Sequence, residues 1–142
     1  MISIQTAKEE DFVQIEEILK ENEMFVADID GKEMMKRIQK ISGKYFLVAK
    51  EDHVVIGFIR VVYDGSRALI HQMAVRKTNQ RKGVGKKLIL EVCKMLKDDG
   101  APTVSVTVTD KSTSYYQSLS FKKLPITLML AEDINEVITL TS

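Results

Sequence analysis

The chain contains a single cysteine, no tryptophan and only two prolines among its 142 residues. Because Cys93 has no second cysteine to pair with, an intrachain disulfide and a cysteine-based metal cluster are both excluded. No apolar run approaches the ~20 residues that a membrane span needs. The opening stretch MISIQTAKEED also lacks the charged start and apolar run of a secretory signal, so we expect a cytoplasmic protein with no membrane partner.

An excess of charge of one sign is also absent. Lysine and arginine total 21 and aspartate and glutamate total 20, which gives a net charge of +1. This balance disfavours a general nucleic-acid-coating or membrane-coating role and leaves only local patches to consider. Hydrophobic residues make up 44% of the chain, which argues against disorder. The length fits one domain with its own core, and we predict a single domain over residues 1–142.

The spacing of apolar residues predicts a mixed α/β fold. Alternating and β-branched stretches predict strands at residues 2–6, 45–49, 54–63, 68–75, 103–109, 126–130 and 136–141. Apolar residues at helical spacing predict helices after an N-cap at Thr6, at about residues 32–41, from Val84 to the DDGAP stretch, and at residues 112–119. The sequence therefore predicts a central mixed sheet of about six to seven strands, about four flanking helices and a central strand–helix–strand crossover.

The most positive segment, NQRKGVGKK at residues 79–87, contains two glycines one residue apart. Val75 ends a predicted strand and Val84 begins a predicted helix, so the segment is a strand-to-helix turn. The first N–H groups of a helix have no partner inside it, and they form a phosphate site that glycine leaves open to close approach. From this pattern alone, an ordinary glycine turn beside a solvated basic face remains an equal alternative.

Three motifs resemble those of the GNAT superfamily of N-acetyltransferases. The run from Gln80 to Gly85, QRKGVG, matches in full that family's Q/R-x-x-G-x-G/A motif. The MAV at residues 73–75 resembles the end of the family's fourth strand. YYQSLSF at residues 115–121 is similar to its FYEKLGF signature. The order of predicted elements resembles the same fold over nearly the whole chain.

The resemblance implies acetyl-CoA as the co-substrate, no metal, and direct attack of a primary amine, on a small molecule or a protein, on the thioester. It implies that backbone amides from Arg81 to Lys86 hold the pyrophosphate. It also implies that the edge of residues 73–75 pairs with the pantetheine arm like an added strand. The implied cofactor-binding residues are Met73, Ala74, Val75, Gln80, Arg81, Lys82, Gly83, Val84, Gly85, Lys86, Thr109 and Ser112.

The resemblance implies that Tyr116 is the general acid that protonates the leaving thiolate, and that Tyr115 packs in the core. Thr109 stands where relatives often carry an asparagine that contacts the CoA arm, and Ser112 is its possible substitute. Ser120 replaces a glycine at a helix C-terminus, a change that costs about 1 kcal/mol.

No general base is assigned, because Leu69 and Val104 stand where many relatives carry a glutamate. His71 is the nearest titratable residue on the fourth strand. It shares a face with Leu69 and Val75, which favours a core histidine over a base.

The acceptor side is predicted at about residues 22–36. There Asp28 and Asp30 would suit a cationic amine if they are not simply turn-forming surface residues. The last strands, around residues 126–139, form either a second wall of that site or a homodimer contact. The acceptor itself and the acyl-chain preference do not follow from the sequence.

Two other functions remain open. A non-catalytic CoA-binding or regulatory module on the same fold is motivated by Thr109, Ser120 and the missing carboxylate base. Nucleic-acid binding through the basic turn is the weakest alternative, because the total charge is balanced and no aromatic residues interleave with the cations.

Overall fold

The computed structural model describes residues 1–140 of the chain. The strands in this range are Ile2–Thr6 (β1), Phe46–Glu51 (β2), Val54–Tyr63 (β3), Ala68–Val75 (β4) and Val104–Val106 (β5). The α-helices are Phe12–Glu21 (α1), Ala27–Asp30 (α2), Lys32–Ser42 (α3), Val84–Asp98 (α4), Asp110–Ser118 (α5) and Ile134–Ile138 (α6). The predicted α/β class is confirmed, but the described residues form five strands rather than six or seven, and six α-helices rather than about four.

The five strands form one sheet in the order β1-β2-β3-β4-β5. Its first four strands are antiparallel neighbours, whereas β5 runs parallel to β4. A parallel pair needs a long crossover connection, and α4 supplies it as predicted. The chain forms two compact units, one of residues 1–108 that contains the whole sheet and one that begins at residue 109. No helix among the described residues is both long and apolar enough to span a bilayer.

The core of the first unit lies where the sheet packs against helices. Phe46 stacks on Phe12 of α1 with ring centroids 6.0 Å apart and meets Phe58 edge to face at 6.3 Å. In β3, a Cβ atom on Gly57 would lie 3.1 Å from the Val84 side chain and 3.2 Å from a backbone oxygen. Glycine at this position therefore lets the start of α4 sit directly on the sheet.

The pairing of β3 with β4 contains a bulge that decides where β4 is free. Arg60 pairs with Gln72 and the next residue, Val61, pairs with Ile70, so His71 is an extra residue in β4. On its other side, β4 pairs with β5 only at residues 68–70. The predicted strand at residues 103–109 is therefore wrong in length, because β4 bulges immediately past its last partner.

The two strands predicted at the end of the chain are wrong for the described residues. Residues 126–130 are not a strand, and residues 134–138 form α6. Asp133 accepts a hydrogen bond from the Asn135 N–H at 2.9 Å and caps this helix. Alternating apolar residues form a strand only where a partner strand is available. Residue 141, the last of the second predicted strand, lies outside the described range.

Two smaller predictions concern helix ends. Thr6 is the last residue of β1 and does not cap the first helix. Instead the Lys8 N–H donates to the Asp11 carboxylate at 2.9 Å, and a 3₁₀ turn over Glu9–Asp11 precedes α1. Ser120 does occupy the left-handed conformation that favours glycine, with φ of 72°, as its position after α5 predicts.

Candidate functional site

The glycine turn ends in an uncapped helix N-terminus. Gly83 is the N-cap of α4 with φ of 81°, and no side chain accepts a hydrogen bond from the first turn. The helix hydrogen bonds begin with Lys87 N–H donating to the Gly83 carbonyl at 3.0 Å. The three preceding N–H groups, from Val84 to Lys86, therefore face outward without intrahelical partners. Among residues 1–140, no atom other than those of the two adjacent residues lies within 4 Å of the position that a Cβ atom on Gly83 would take, so the turn is open at Gly83.

Exposed cations surround this turn. Arg81, Lys82, Lys86 and Lys87 are all exposed, and Arg81 has φ of 64°. Arg76 does not belong to this set, because its Nε and Nη2 donate to the Val55 carbonyl at 3.1 Å and its guanidinium faces Glu17 and Glu21. The mobile positive charge is therefore concentrated on the turn itself, where it reinforces the positive end of the helix dipole.

Gln80, which is predicted to be a cofactor-binding residue, has its side chain hydrogen-bonded within the protein. Its Nε2 donates to the Val75 carbonyl and to Asn22 Oδ1, both at 3.0 Å. Asn22 Nδ2 donates to the same Val75 carbonyl at 3.1 Å and to the Ile18 carbonyl at 2.8 Å. The side chain of Gln80 thus fastens the start of the turn to the end of β4 and to the C-terminus of α1.

The edge of β4 beyond the bulge is free of strand partners in the described part of the chain. Arg76 N–H donates to the Ile56 carbonyl at 2.7 Å, which continues the β3–β4 ladder. Because hydrogen-bonding direction alternates along an antiparallel strand, the backbone groups of Met73 and Val75 are directed away from β3. The structure therefore brings the predicted residues 73–75 and 81–86 together, as a free strand edge that leads into an uncapped helix.

His71 lies in the bulge and is exposed, so the prediction that it is a core histidine is wrong. The inserted residue breaks the alternation on which that prediction relied. Partial desolvation, followed by the positive charge of Arg60, lowers the pKa of His71. A neutral imidazole at this point of β4 is a proton acceptor near neutral pH.

Next to the bulge lies a buried polar cluster, which we call the Arg60 cluster and which consists of Asp30, Arg60 and Gln72. Arg60 Nε donates to Gln72 Oε1 at 2.9 Å, and Gln72 Nε2 donates to Asp30 Oδ1 at 3.3 Å. The other oxygen, Asp30 Oδ2, accepts from the Val26 N–H at 2.9 Å. The cluster borders a cavity of about 10 Å³ with an apolar wall that includes Met35. That volume holds about one water molecule.

Sequence reasoning missed Arg60 and Gln72. The available signal was a single charged residue inside the apolar strand VVIGFIRVVY, since arginine is rarely buried without a partner. The two aspartates proposed for the acceptor side also differ from each other. Asp28 is exposed, as a turn residue would be, whereas Asp30 is only 5% exposed and belongs to the cluster.

The predicted residues Thr109, Ser112 and Tyr116 belong to the second compact unit. Tyr116 is buried, and its ring meets Tyr115 and Phe121 edge to face at 5.3 and 5.4 Å. Burial, followed by the neighbouring Tyr115, raises the pKa of Tyr116 to about 12. Tyr115 is 38% exposed, so its predicted core position is wrong. Thr109 is the N-cap residue of α5, and Ser112 is half-buried.

Cys93 lies within α4 and is half-buried rather than fully buried. Burial raises the pKa of its thiol, which disfavours the thiolate. A covalent intermediate needs the thiolate form of a cysteine. The geometry therefore favours a reaction that does not pass through Cys93.

Comparison with solved structures identifies the same architecture in several acetyltransferases. The PaiA N-acetyltransferase of Thermoplasma acidophilum, solved in complex with coenzyme A, matches with a TM-score of 0.79 and 21% identity over 89% of this chain and 93% of that one. Ard1 of Thermoplasma volcanium matches with a TM-score of 0.77 and 19% identity over 85% and 82%. A GNAT family acetyltransferase of Streptococcus pneumoniae matches with a TM-score of 0.73 and 24% identity over 94% and 97%.

These structural similarities establish the fold. None of the curated protein sequences compared with the chain is detectably similar to it. The family model of the acetyltransferase (GNAT) domain matches residues 5–127, which is most of the chain and includes both the free edge of β4 and the glycine turn. The chain therefore belongs to the GNAT family of acetyltransferases.

Proposed function

We propose that this protein transfers the acetyl group of acetyl-CoA to a primary amine. The observation that carries the proposal is the continuous segment of residues 73–86, in which a free strand edge leads into an uncapped helix N-terminus. A pantetheine arm carries amides that pair with a strand edge, and a pyrophosphate suits unpaired helix N–H groups. Family membership and the coenzyme A complex of one structural relative support the same ligand.

The residues of the turn fit a pyrophosphate. The N–H groups from Val84 to Lys86 provide fixed donors, and no Cβ at Gly83 stands in front of them. The exposed Lys82 and Lys86 add charge that can adapt to two phosphates. Gln80 contributes indirectly, because its hydrogen bonds to Val75 and Asn22 hold the turn in place.

The free edge of β4 would orient the reacting thioester. In the transfer, the amine nitrogen forms a bond to the carbonyl carbon, and the carbon–sulfur bond breaks. The amine must lose a proton and the thiolate must gain one. The N–H and carbonyl of Met73 and the N–H of Val75 would hold the arm, because the Val75 carbonyl already accepts from Gln80 and Asn22. This places the thioester carbonyl near the bulge at His71. His71 is a candidate to receive the amine proton, directly or through water, although no base is assigned.

Tyr116 is proposed as the acid that protonates the leaving thiolate. Its raised pKa of about 12 keeps the phenol protonated at neutral pH, so that it can donate. Replacement by phenylalanine keeps the ring packing against Phe121 and removes only the hydroxyl. We expect Tyr116→Phe to lower kcat by about 100-fold, the lower end of the usual range for an acid catalyst, while the dissociation constant of acetyl-CoA is unchanged.

The first test is a calorimetric titration with acetyl-CoA. We expect one site in the wild type and no detectable binding in Gly83→Glu, whose carboxylate enters the open space in front of the helix donors. Gly65→Glu is a matched control: Gly65 also has positive φ, at 98°, and open space at Cβ, but lies in the β3–β4 turn. The control variant should bind like the wild type.

The outcomes separate binding from catalysis. If neither the wild type nor the control binds, although both are folded, the acetyltransferase proposal fails and the turn should be tested against nucleic acid. If acetyl-CoA binds but no amine releases its thiol, the protein is a non-catalytic CoA-binding module. Release of thiol with any amine eliminates that module.

A further inference from the structure

The Arg60 cluster contains a positive charge that the nearby Asp30 carboxylate compensates only in part. The side chain of Arg60 is only 12% exposed, and its Nη2 lies 4.0 Å from Asp30 Oδ1, beyond hydrogen-bonding distance. Within residues 1–140, its only hydrogen bond is the one from Nε to Gln72. A buried guanidinium normally uses its terminal N–H groups in paired contacts. Four donors on this guanidinium are therefore available.

These donors are reachable. No polar side-chain atom among the described residues is both fully buried and without a partner, so the terminal nitrogens of Arg60 retain contact with solvent. Arg60 and Met35 both line the small cavity described above. Methionine repacks readily around different shapes, so this wall can admit a group larger than water.

The sign of the charge that fits this cavity follows from the hydrogen bonds. Both carboxylate oxygens of Asp30 already accept from N–H groups, of Val26 and Gln72, and Asp30 is 5% exposed. Each oxygen of Asp30 therefore already has a hydrogen-bond donor, and the group with unused donors in contact with solvent is the guanidinium of Arg60. Burial lowers the pKa of Arg60 and the charge of Asp30 opposes this shift, which agrees with the long distance between the two groups.

The cluster lies beside the proposed reaction centre. Gln72 directly precedes Met73, the first residue of the free edge, and it pairs across the sheet with Arg60 next to the bulge. Asp30 ends α2, in the stretch of residues 22–36 that forms the acceptor side of the proposed site. An acceptor that approaches the thioester from this side would pass the terminal nitrogens of Arg60.

We propose that the acceptor amine also carries an oxyanion group, a carboxylate or a phosphate, and that Arg60 binds this group. The inference rests on the proposed acetyltransferase function and names the substrate class of the same site. A planar guanidinium can hold such a group through two parallel hydrogen bonds. Arg60 is then a specificity-determining residue, and Gln72 positions it.

The test compares matched amines by thiol release. One arm uses ω-amino carboxylates of two to six carbons and their uncharged amides. The other arm uses aminoalkyl phosphates and the corresponding amino alcohols, so that carboxylate and phosphate are distinguished. We expect kcat/KM to be about 10- to 100-fold higher for the anionic member of a matched pair in at least one arm, the value of a charge-assisted hydrogen bond.

Three variants assign the preference to Arg60. Arg60→Gln should reduce the preference to about onefold while acetyl-CoA binding is unchanged, and Arg60→Lys should retain part of it because a lysine is a point charge. Arg67→Gln removes one exposed arginine from the adjacent turn and should leave the preference intact. Equal rates for charged and neutral amines in the wild type, or an unchanged preference in Arg60→Gln, would overturn the proposal.

A second readout does not require catalysis. The Nε–H resonance of Arg60 is followed by NMR while inorganic phosphate or acetate is added to the free protein. A saturable shift that disappears in Arg60→Gln supports the oxyanion site even if no amine is acetylated. The absence of a shift with either ion and with every anionic amine overturns it, whether or not acetyl-CoA binds. The failure of this site and the failure of the proposed function are therefore distinguishable.

Discussion

Two ion pairs in the first unit are buried to nearly the same degree and yet differ in how closely they pair. Lys50 Nζ lies 2.9 Å from Asp11 Oδ1, and the side chains are 14% and 3% exposed. Arg60 and Asp30 are 12% and 5% exposed, but their nearest charged atoms are 4.0 Å apart. The charge of the Lys50 ammonium is paired with Asp11, directly before α1, and therefore stabilises the fold. The Arg60 guanidinium is held by an amide instead, and this leaves its charge available.

The largest expected difference between the pairs is in stability. Lys50→Met leaves the Asp11 charge buried without its partner and should lower the free energy of unfolding by about 3–5 kcal/mol. Arg60→Met should lower it by only about 1–2 kcal/mol, because Asp30 keeps two N–H donors and the burial of an uncompensated guanidinium is relieved. Urea denaturation of both variants measures the difference. Equal losses would show that the two pairs have the same structural role.

The side-chain amide of Gln72, which accepts a hydrogen bond from Arg60, offers a second way to distinguish the two ion pairs. Gln72→Met keeps the length of the side chain and removes the acceptor for Arg60 Nε. We expect kcat/KM for the preferred anionic amine to fall about 10-fold, the effect of one hydrogen bond to a charged group, with no change for its neutral partner. The double variant Arg60→Gln/Gln72→Met should be no worse than Arg60→Gln alone, because one residue acts through the other. If the losses of the two single variants add in the double variant, Gln72 does not act through Arg60.

A smaller effect, on the binding of an anionic amine, is expected when the Asp30 carboxylate of the more widely spaced pair is neutralised. Asp30→Asn removes a negative charge from the vicinity of Arg60, while its amide oxygen can still accept from the Val26 N–H. The dissociation constant of an anionic amine should fall about fivefold, the effect of roughly 1 kcal/mol for unit charges about 4 Å apart with the screening of water. Titration of the protein with the anionic amine in the presence of CoA, which has no acetyl group to transfer, measures this constant. Weaker binding in Asp30→Asn would count against the proposed sign of the site.

The smallest expected effect is on His71. Its pKa is lowered from 6.5 by partial desolvation and then by the charge of Arg60. The NMR titration midpoint of His71 should therefore lie below 6.5 in the wild type and rise in Arg60→Gln, because the neighbouring positive charge is gone. Lys50→Gln serves as the reference and should leave the midpoint where it is. A midpoint that does not respond to Arg60 would mean that the imidazole lies outside the field of the cluster.

The glycine turn was predictable because its properties are local. An uncapped N-terminus, the positive φ of Gly83 and the adjacent cations all follow from a dozen consecutive residues. The Arg60 cluster was not predictable, because it depends on the bulge at His71, on the pairing of Arg60 with Gln72 and on Asp30 forty-two residues away from Gln72. The register of a long hairpin and the burial of a distant aspartate are tertiary properties that residue spacing does not contain.

The last part of the chain also shows that a local sequence pattern does not determine tertiary pairing. Residues 126–130, ITLML, have an apolar composition that favours a strand, but four of them are 74–88% exposed and the segment is not paired in the described residues. The helix at residues 134–138 depends on the cap at Asp133. The hydrogen bond from this cap favours a helix, whereas the β-branched residues that follow it favour a strand. A local pattern predicts what a segment can become, whereas the available partners decide what it does become.

The carbonyl of Val75 has a consequence for motion as well as for structure. One oxygen receives amide donors from Gln80 and from Asn22, so the start of the turn and the last residues of α1 share a single anchoring point. A ligand that reduces the mobility of the turn must also reduce the mobility of the end of α1. Amide hydrogen exchange near residues 18–22 should therefore slow when acetyl-CoA binds some sixty positions further along the chain. In kinetic terms, binding of acetyl-CoA would order the acceptor side of the site. The two substrates would then bind in a preferred order, with acetyl-CoA first.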